Sequence, residues 1–454
     1  MAASDPLPHL RRWAESVAAN GGIAGFALPG DERRTLTARM QKIRQGPARV
    51  RYEIRLHSNV QDAETTVYFD VESPFALETP ARADAALLVA LFPALHHGGT
   101  LRVEGTVSPL LLRNLLDLQA IWFRARPDRY RPFRVDVDAL SDAVPASASD
   151  RAILPLSGGL DSLLALCQHS DPKRPLGPAA AELGACLFLP GFTPPLQRRA
   201  DFPLAIDTVR RTAAMRGLPL VVAETNFGEV VHWRDDSHGA LLAAGLTLLS
   251  PHFRHGIIAS SMPHVFPSFP VWGSAAASDP FLSSDGFEIR DHGADVDRCV
   301  KAAAIARHPE MLGRLVVCFQ VPGMTGNCGR CEKCIRTMLS FLAAGVEIPK
   351  LAFPSGLDPK RVPKKLRGKL EYARPTLELA EASGIEHPAL RSLRRAYRRH
   401  LAKYRLRSAI TRALPWVDLL EPDGFPPQWL IPRRARAAAR RDRGLSWRAP
   451  RRSR

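Results

Sequence analysis

Two stretches of this 454-residue chain combine residue types and spacings that can do chemistry. The first is "ILPLSGGLDSLLALCQ", residues 153–168. Ile153, Leu154 and Leu156 read as a buried strand, and Leu160, Leu163, Leu164 and Leu166 have the spacing of a helix packed on a sheet. Between them, Ser157-Gly158-Gly159-Leu160-Asp161-Ser162 makes a strand-to-helix turn. In α/β sheets such turns lie at the carboxyl ends of the strands, where ligands bind. Gly158 and Gly159 permit dihedrals and close approaches that other residues forbid. Successive N–H groups there can form an anion nest, reinforced by the N-terminus of the following helix. Ser157 and Ser162 add hydroxyls. Asp161, in the first turn, either favours the helix dipole or holds Mg²⁺ beside a phosphate. The pattern Gly-x4-Gly-Lys-Ser/Thr is missing, so no lysine of that motif reaches a γ-phosphate. The alternative is a turn that only caps its helix.

The second stretch is "LVVCFQVPGMTGNCGRCEKCIRTML". Four of the seven cysteines, Cys318, Cys328, Cys331 and Cys334, fall here. Two Cys-x2-Cys steps and one more distant thiol suit a closed tetrahedral Zn²⁺ site, with an iron–sulfur cluster as runner-up. Gly323, Gly326 and Gly329 supply tight turns. Cys167, Cys186 and Cys299 stand alone and read as core residues. An odd cysteine count in a chain without an export signal argues against a disulfide framework.

The Ser-Gly-Gly-x-Asp-Ser loop after a first strand resembles the PP-loop of the ATP pyrophosphatases of the adenine-nucleotide α-hydrolase fold. The resemblance implies that Ser157, Gly158, Gly159, Leu160, Asp161 and Ser162 grip the pyrophosphate part of ATP, with Ser157 and Asp161 catalytic and Mg²⁺ as companion ion. It implies that a substrate oxygen attacks the α-phosphate, releasing pyrophosphate and leaving an adenylate. Ammonia or a sulfur donor then displaces AMP. The end of the second strand, near Leu189-Pro190-Gly191, would lie against the adenine. A Cys-x9-Cys-x2-Cys-x2-Cys cluster downstream of such a loop is similar to the 7-cyano-7-deazaguanine synthases, over roughly residues 150–345. Those enzymes use ATP and ammonia to turn a 7-carboxy-7-deazaguanine into an amide and then a nitrile. The implied activity is an ATP-dependent, AMP-forming ligase acting on a deazapurine-like carboxylate, with nitrogen from free ammonia or a partner. An RNA-modifying sulfur transferase is the alternative. The N-terminal region and the basic C-terminal region have no counterpart in the synthases, and residues 265–293 do not match them residue by residue. The longer chain resembles synthase-like proteins of biosynthetic and phage-defence settings, which would modify a protein or a nucleic acid.

The elements that must position these groups follow from periodicity. From residue 151, apolar strands at 152–156, 183–189, 218–223, 255–260 and 314–319 alternate with helices at 160–169, 199–216, 238–250 and 296–307. That alternation predicts an α/β fold with a doubly wound, Rossmann-like parallel sheet, and with the cysteines it defines a domain over 151–345. Ahead of it, residues 1–145 read as a small α+β domain. Residues 1–45 are expected to be partly helical, 49–58 and 65–71 are half-buried strands, and 83–99 is a buried helix kinked at Pro93. A short strand at 100–105 leads to a helix capped by Ser108 with Pro109 at its first position. Residues 142–150 are the expected linker. Residues 346–432 read as a helical basic extension and 433–454 as a disordered basic tail.

The formal charge is +18, and residues 351–454 hold 26 Lys and Arg against 9 Asp and Glu. Nearly all the excess therefore sits in the last quarter, where a nucleic acid or an acidic protein would dock. No apolar run reaches membrane-spanning length, and the start lacks a signal sequence, so the expected location is cytoplasmic. A homo-oligomer is compatible with the sequence. Other residues carry two readings each. Asp235, Asp236 and His238 bind Mg²⁺ or substrate, or else Asp236 or Ser237 only caps the helix. Arg290, Asp291 and His292 lie at a strand end or in a solvated loop. Arg336 points to phosphates or to solvent. His96 and His97 read as a helix end with favourable dipole placement.

Overall fold

The alternation of Val50, Tyr52, Ile54 and Leu56 against Val67, Phe69 and Val71 builds an antiparallel pair, β2 (Arg49–Ser58) and β3 (Ala63–Glu72). All seven inward side chains are at most 1% exposed. The computed structural model describes residues 33–144, 148–171, 181–231, 234–261, 272–366 and 373–413, the stretch 404–413 by backbone alone. Residues 1–32, the start of 265–293 and the tail from Arg433 lie outside the described residues.

The remaining strands are β1 (Thr35–Gly46), β4 (Gly99–Val107), β5 (Phe133–Leu140), β6 (Ser149–Pro155), β7 (Leu183–Phe188), β8 (Leu220–Thr225), β9 (Phe253–Ala259) and β10 (Glu288–His292). Together they form one mostly parallel ten-stranded sheet in the order β10-β9-β6-β7-β8-β3-β2-β1-β4-β5. The fold is thus α/β, as expected. Numbered from β6, the parallel half reads 3-2-1-4-5 from β8 to β10, the order of a doubly wound, Rossmann-like sheet. The main helices of this half are α3 (Leu160–His169), α4 (Phe202–Ala214) and α5 (Arg234–Thr247), preceded in the chain by α1 (Asp84–His97) and α2 (Pro109–Ala125).

The antiparallel pairing of β3 with β8 joins the strands β1–β5 edge-on to the parallel half. The expected linker at 142–150 lies inside one compact unit, Met1–Asp295 with Pro322–Thr325, whose sheet continues on both sides of it. The sheet of this unit curls. Arg82 donates to the carbonyls of Ser141, just after β5, and of Asp285, just before β10, and Val144 packs on Gly286. The two edges of the sheet therefore approach each other. Helix α1 is buried on nearly every face and packs against α5, so a helix without a polar side is satisfied by the concavity. On the other side of the N-terminal strands, Arg39–Glu104, Arg49–Asp70 and Arg102–Asp136 ion pairs cover a solvated face.

At the end of the stretch 1–45, residues 35–46 form a strand, because Leu36 and Ala38 alternate inward while Arg39 and Gln41 face out. Two expectations are corrected. Residues 314–319 are not a strand, although Leu315, Val316 and Val317 are buried. Their backbone groups bond to side chains instead, and the fifth strand of the parallel half is β10. Burial holds His97 neutral by pushing its pKa down, and its Nε2 lies 3.0 Å from Ser58 Oγ, so it joins α1 to β2 and does not act as a dipole-stabilised cation. Ser108 caps α2 as expected, accepting from Leu111 N–H at 3.0 Å.

Helix α5 starts four residues before the predicted position, so Asp236 lies in its first turn and is buried. Its carboxylate accepts from Arg129 and from Tyr130 Oη at 2.7 Å, which removes it from the Mg²⁺ reading. Replacing Asp236 with Ala strands both donors and should destabilise the fold by about 2–4 kcal/mol. Thermal melting checks this: Asp236→Asn should recover part of the loss, and an unchanged melting temperature in the Ala variant would refute the role.

Candidate nucleotide loop and metal centre

The loop at 157–162 follows β6, whose Ala152, Ile153 and Leu154 are fully buried. Leu156 N–H donates to Leu187 O at 2.8 Å, continuing the ladder with β7 to the edge of the loop. Gly158 then adopts φ +75°, in the left-handed region that favours glycine. Gly159 is the N-cap of α3 and brings no side chain to the helix's first N–H groups. The N-terminus of such a helix favours an anion at the strand's carboxyl end.

Ser157 and Ser162 converge, with their hydroxyls 3.3 Å apart. Ser162 Oγ donates to Gly159 O at 3.2 Å, and Gly159 N–H donates to Ser157 Oγ at 3.4 Å. The side chain of Leu160 is buried beneath the loop and anchors it, while Asp161 supplies the acidic group of the first turn. The six predicted residues are thus one constellation. Because β6 has β7 on one side and β9 on the other, the loop sits where the strand order reverses. That reversal opens the crevice in which such sheets bind nucleotides.

The end of β7 is built for close approach as well. Gly191 has φ +94°, and a Cβ there would stand 1.8 Å from Thr225 O. His238 Nδ1 lies within 3.3 Å of the Arg234 and Asp235 carbonyls, and burial lowers its pKa. At β10, Arg290 pairs with Glu288, and His292 contacts His169 at 3.1 Å and Gln168 at 2.7 Å. Arg336 is paired with Glu332 one turn away on its helix.

The second unit, Val296–Val321 with Gly326–Arg454, holds the cysteines. Its helices are α6 (Arg298–Ile305), α7 (Glu332–Ala343), α8 (Ala373–Ala382) and α9 (Pro388–Ala413). Cys331 is the N-cap of α7 and Cys334 lies one turn on, so helix geometry brings both thiols to one side. Gly329, at φ +64°, turns Cys328 back toward them. Cys318 arrives from the extended segment at 315–318.

The four sulfurs all lie within 4.8 Å of one another. Cys331 Sγ is 3.5 Å from Cys334 and 3.8 Å from Cys318, and Cys328 is 3.9 Å from Cys334. A tetrahedron of sulfurs about one ion, with bonds of about 2.3 Å, has edges of about 3.8 Å. The cluster can therefore hold a single metal ion. An iron–sulfur cage would stand between its thiolates and hold them farther apart. Hydrogen bonding from the Cys334 thiol lowers the Cys331 pKa to about 5, and the same bond, with burial, pushes Cys334 up. A cation bound among the four sulfurs would draw off the thiol protons. By contrast Cys167, Cys186 and Cys299 are buried, and burial pushes Cys186 to about 12 and Cys299 to about 11.

Asn327 is a functional residue that sequence reasoning missed. Its Oδ1 accepts from Val317 N–H at 2.8 Å, and its Nδ2 donates to Leu315 O at 2.7 Å and Ala352 O at 3.1 Å. One side chain thereby ties the segment carrying Cys318 to the turn carrying Cys328. Lys333 Nζ lies 3.8 Å over the Phe319 ring and fastens α7 to the same segment.

No known protein family, curated protein or solved structure matches this chain.

Asn327→Ala should leave all four thiols in place yet weaken zinc retention about 10-fold, the lower end for loss of a supporting residue. Competition with a chromophoric chelator measures this. Equal retention by the variant and the parent would show that the cysteines position themselves.

Proposed function

We propose that the chain is an ATP-dependent, AMP- and pyrophosphate-forming ligase that adenylates a carboxylate and transfers nitrogen to it. The observation that carries the reading is the Ser157–Ser162 loop at the reversal point of a 3-2-1-4-5 parallel sheet, with Gly158 at positive φ and a glycine N-cap. The loop's likeness to a PP-loop supports the same reading. In this mechanism the loop N–H groups and the Ser157 and Ser162 hydroxyls would hold the β- and γ-phosphates, and Asp161 would hold a Mg²⁺ ion that neutralises their charge. Fixing the leaving pyrophosphate leaves the α-phosphorus open to a carboxylate oxygen. The new O–P bond forms as the bond to pyrophosphate breaks. Ammonia then attacks the acyl carbon and AMP leaves with the electron pair.

The cysteine centre is assigned a structural Zn²⁺ held by Cys318, Cys328, Cys331 and Cys334, which supplies cross-linking and no chemical step. This favours nitrogen over sulfur transfer. Four thiols are engaged at single-ion spacing, and the other three are buried with raised pKa values or no exposure. None of the seven is then suited to carry a persulfide. The similarity to 7-cyano-7-deazaguanine synthases points to a deazapurine-like carboxylate as the acceptor.

Incubation with Mg²⁺, ATP, ammonium and 7-carboxy-7-deazaguanine should yield AMP and pyrophosphate. Ser157→Ala and Asp161→Asn should each lower turnover by about 10²–10³ while the protein stays folded by circular dichroism. Release of ADP and phosphate, or full turnover by both variants, would contradict the assignment.

A further inference from the structure

Helix α9 contains nine Arg and Lys and no Asp or Glu in 26 residues. Its apolar side is used: Ala389, Leu390 and Leu393 are buried, and the helix packs on α7, α8 and the short turn Val362–Lys365. Its basic side is not. Arg391, Arg395, Arg398, Arg399 and Lys403 are all exposed. They recur at i, i+4, i+7, i+8 and i+12, so they occupy adjacent rows on one face with about 6 Å between neighbours. Arg391 and Arg394 share Glu386. Among the described residues, Arg395, Arg398, Arg399 and Lys403 have no ion-pair partner. Exposed Lys364 and Lys365 lie on the short turn that packs beside the helix and extend the same charge.

We propose that this face of α9 binds the phosphate backbone of a nucleic acid. The exposed row from Arg391 to Lys403 runs about 18 Å along the helix. A partner that matches a row of cations over that length is best a periodic polyanion. Arginine suits it, since its planar fork engages phosphate oxygens in pairs. A membrane surface fits less well, because the apolar side of the described part of the helix is already buried in the protein. An acidic protein would present a local patch and would not need the full row. The platform also depends on the metal centre, because α7, which carries Cys331 and Cys334, is one of the supports of α9. The proposal is independent of the loop chemistry.

The test uses the full chain and fluorescence anisotropy against KCl concentration. The probes are a 20-bp DNA duplex and a 20-nucleotide RNA of arbitrary sequence. Polyglutamate and phosphatidylserine vesicles serve as competitors. Each phosphate contact contributes about 0.9 to the log–log salt slope on duplex DNA and about 0.7 on single strands. The variant R395Q/R398Q/R399Q should therefore lose about 2.7 from the slope on DNA or about 2.1 on RNA. The probe whose slope falls identifies the nucleic acid. The charge-conserving R395K/R398K/R399K variant should keep the parent's slope. An unchanged slope in the Gln variant, the absence of binding by the parent at 50 mM KCl, or displacement by polyglutamate or vesicles at equal charge would overturn the proposal.

Discussion

Strand β6 has a parallel neighbour on each side, one supplied by the next strand in the chain and one by a strand that returns a hundred residues later. That placement constrains the rest of the first unit. With β7 and β8 laid down on one side, the chain must cross to the other face before β9 can pair with β6. Hence α5 covers the face opposite to that of α3 and α4. The reversal leaves the turn after β6 without a strand-end neighbour to fill the space beside it. The sequence places Gly158, Gly159 and two serines at that turn. Burial of β6 fixes the position of the loop, and the loop's own hydrogen bonds fix its shape.

The second unit solves a different problem. The segment at 315–318 is apolar enough to be a strand but has no sheet to join. Its Val317 N–H and Leu315 O are satisfied by Asn327, and just beyond it Gln320 N–H donates to the Cys318 sulfur at 3.2 Å. Thiol convergence and one asparagine do here what strand pairing does in the first unit. Four thiols at van der Waals contact are a poor arrangement without a cation, since ionising one raises the cost of ionising the next. A divalent ion converts that penalty into cross-linking.

Legibility in the sequence followed periodicity. The strands β2 and β3 and the helices α1 and α3 carry clean alternation or helical spacing, and Ser108-Pro109 marks the start of α2 by its capping chemistry. The loop residues and all four cysteines were legible because local spacing brings most of them together. Strand β1 was obscured by Gln41, Lys42 and Arg44, which line its exposed second half. The false strand at 314–319 shows the converse: an apolar run establishes burial but not pairing, which depends on whether an edge is free. Three features depend on contacts distant in sequence and leave no local trace. These are the edge-on joining of β3 to β8, the Arg129–Tyr130–Asp236 contact and the three bonds of Asn327, whose partners lie 10 to 25 residues away.

The central claim is that the turn after β6 holds the phosphates of ATP. Hydrogen–deuterium exchange of the full chain, with and without Mg²⁺ and a non-hydrolysable α,β-methylene ATP, tests it most directly. The account predicts slowed exchange centred on the peptide spanning Leu156 to Leu163, where the loop and the first turn of α3 would donate to phosphate. Unchanged exchange in that peptide at a nucleotide concentration that saturates binding would contradict it.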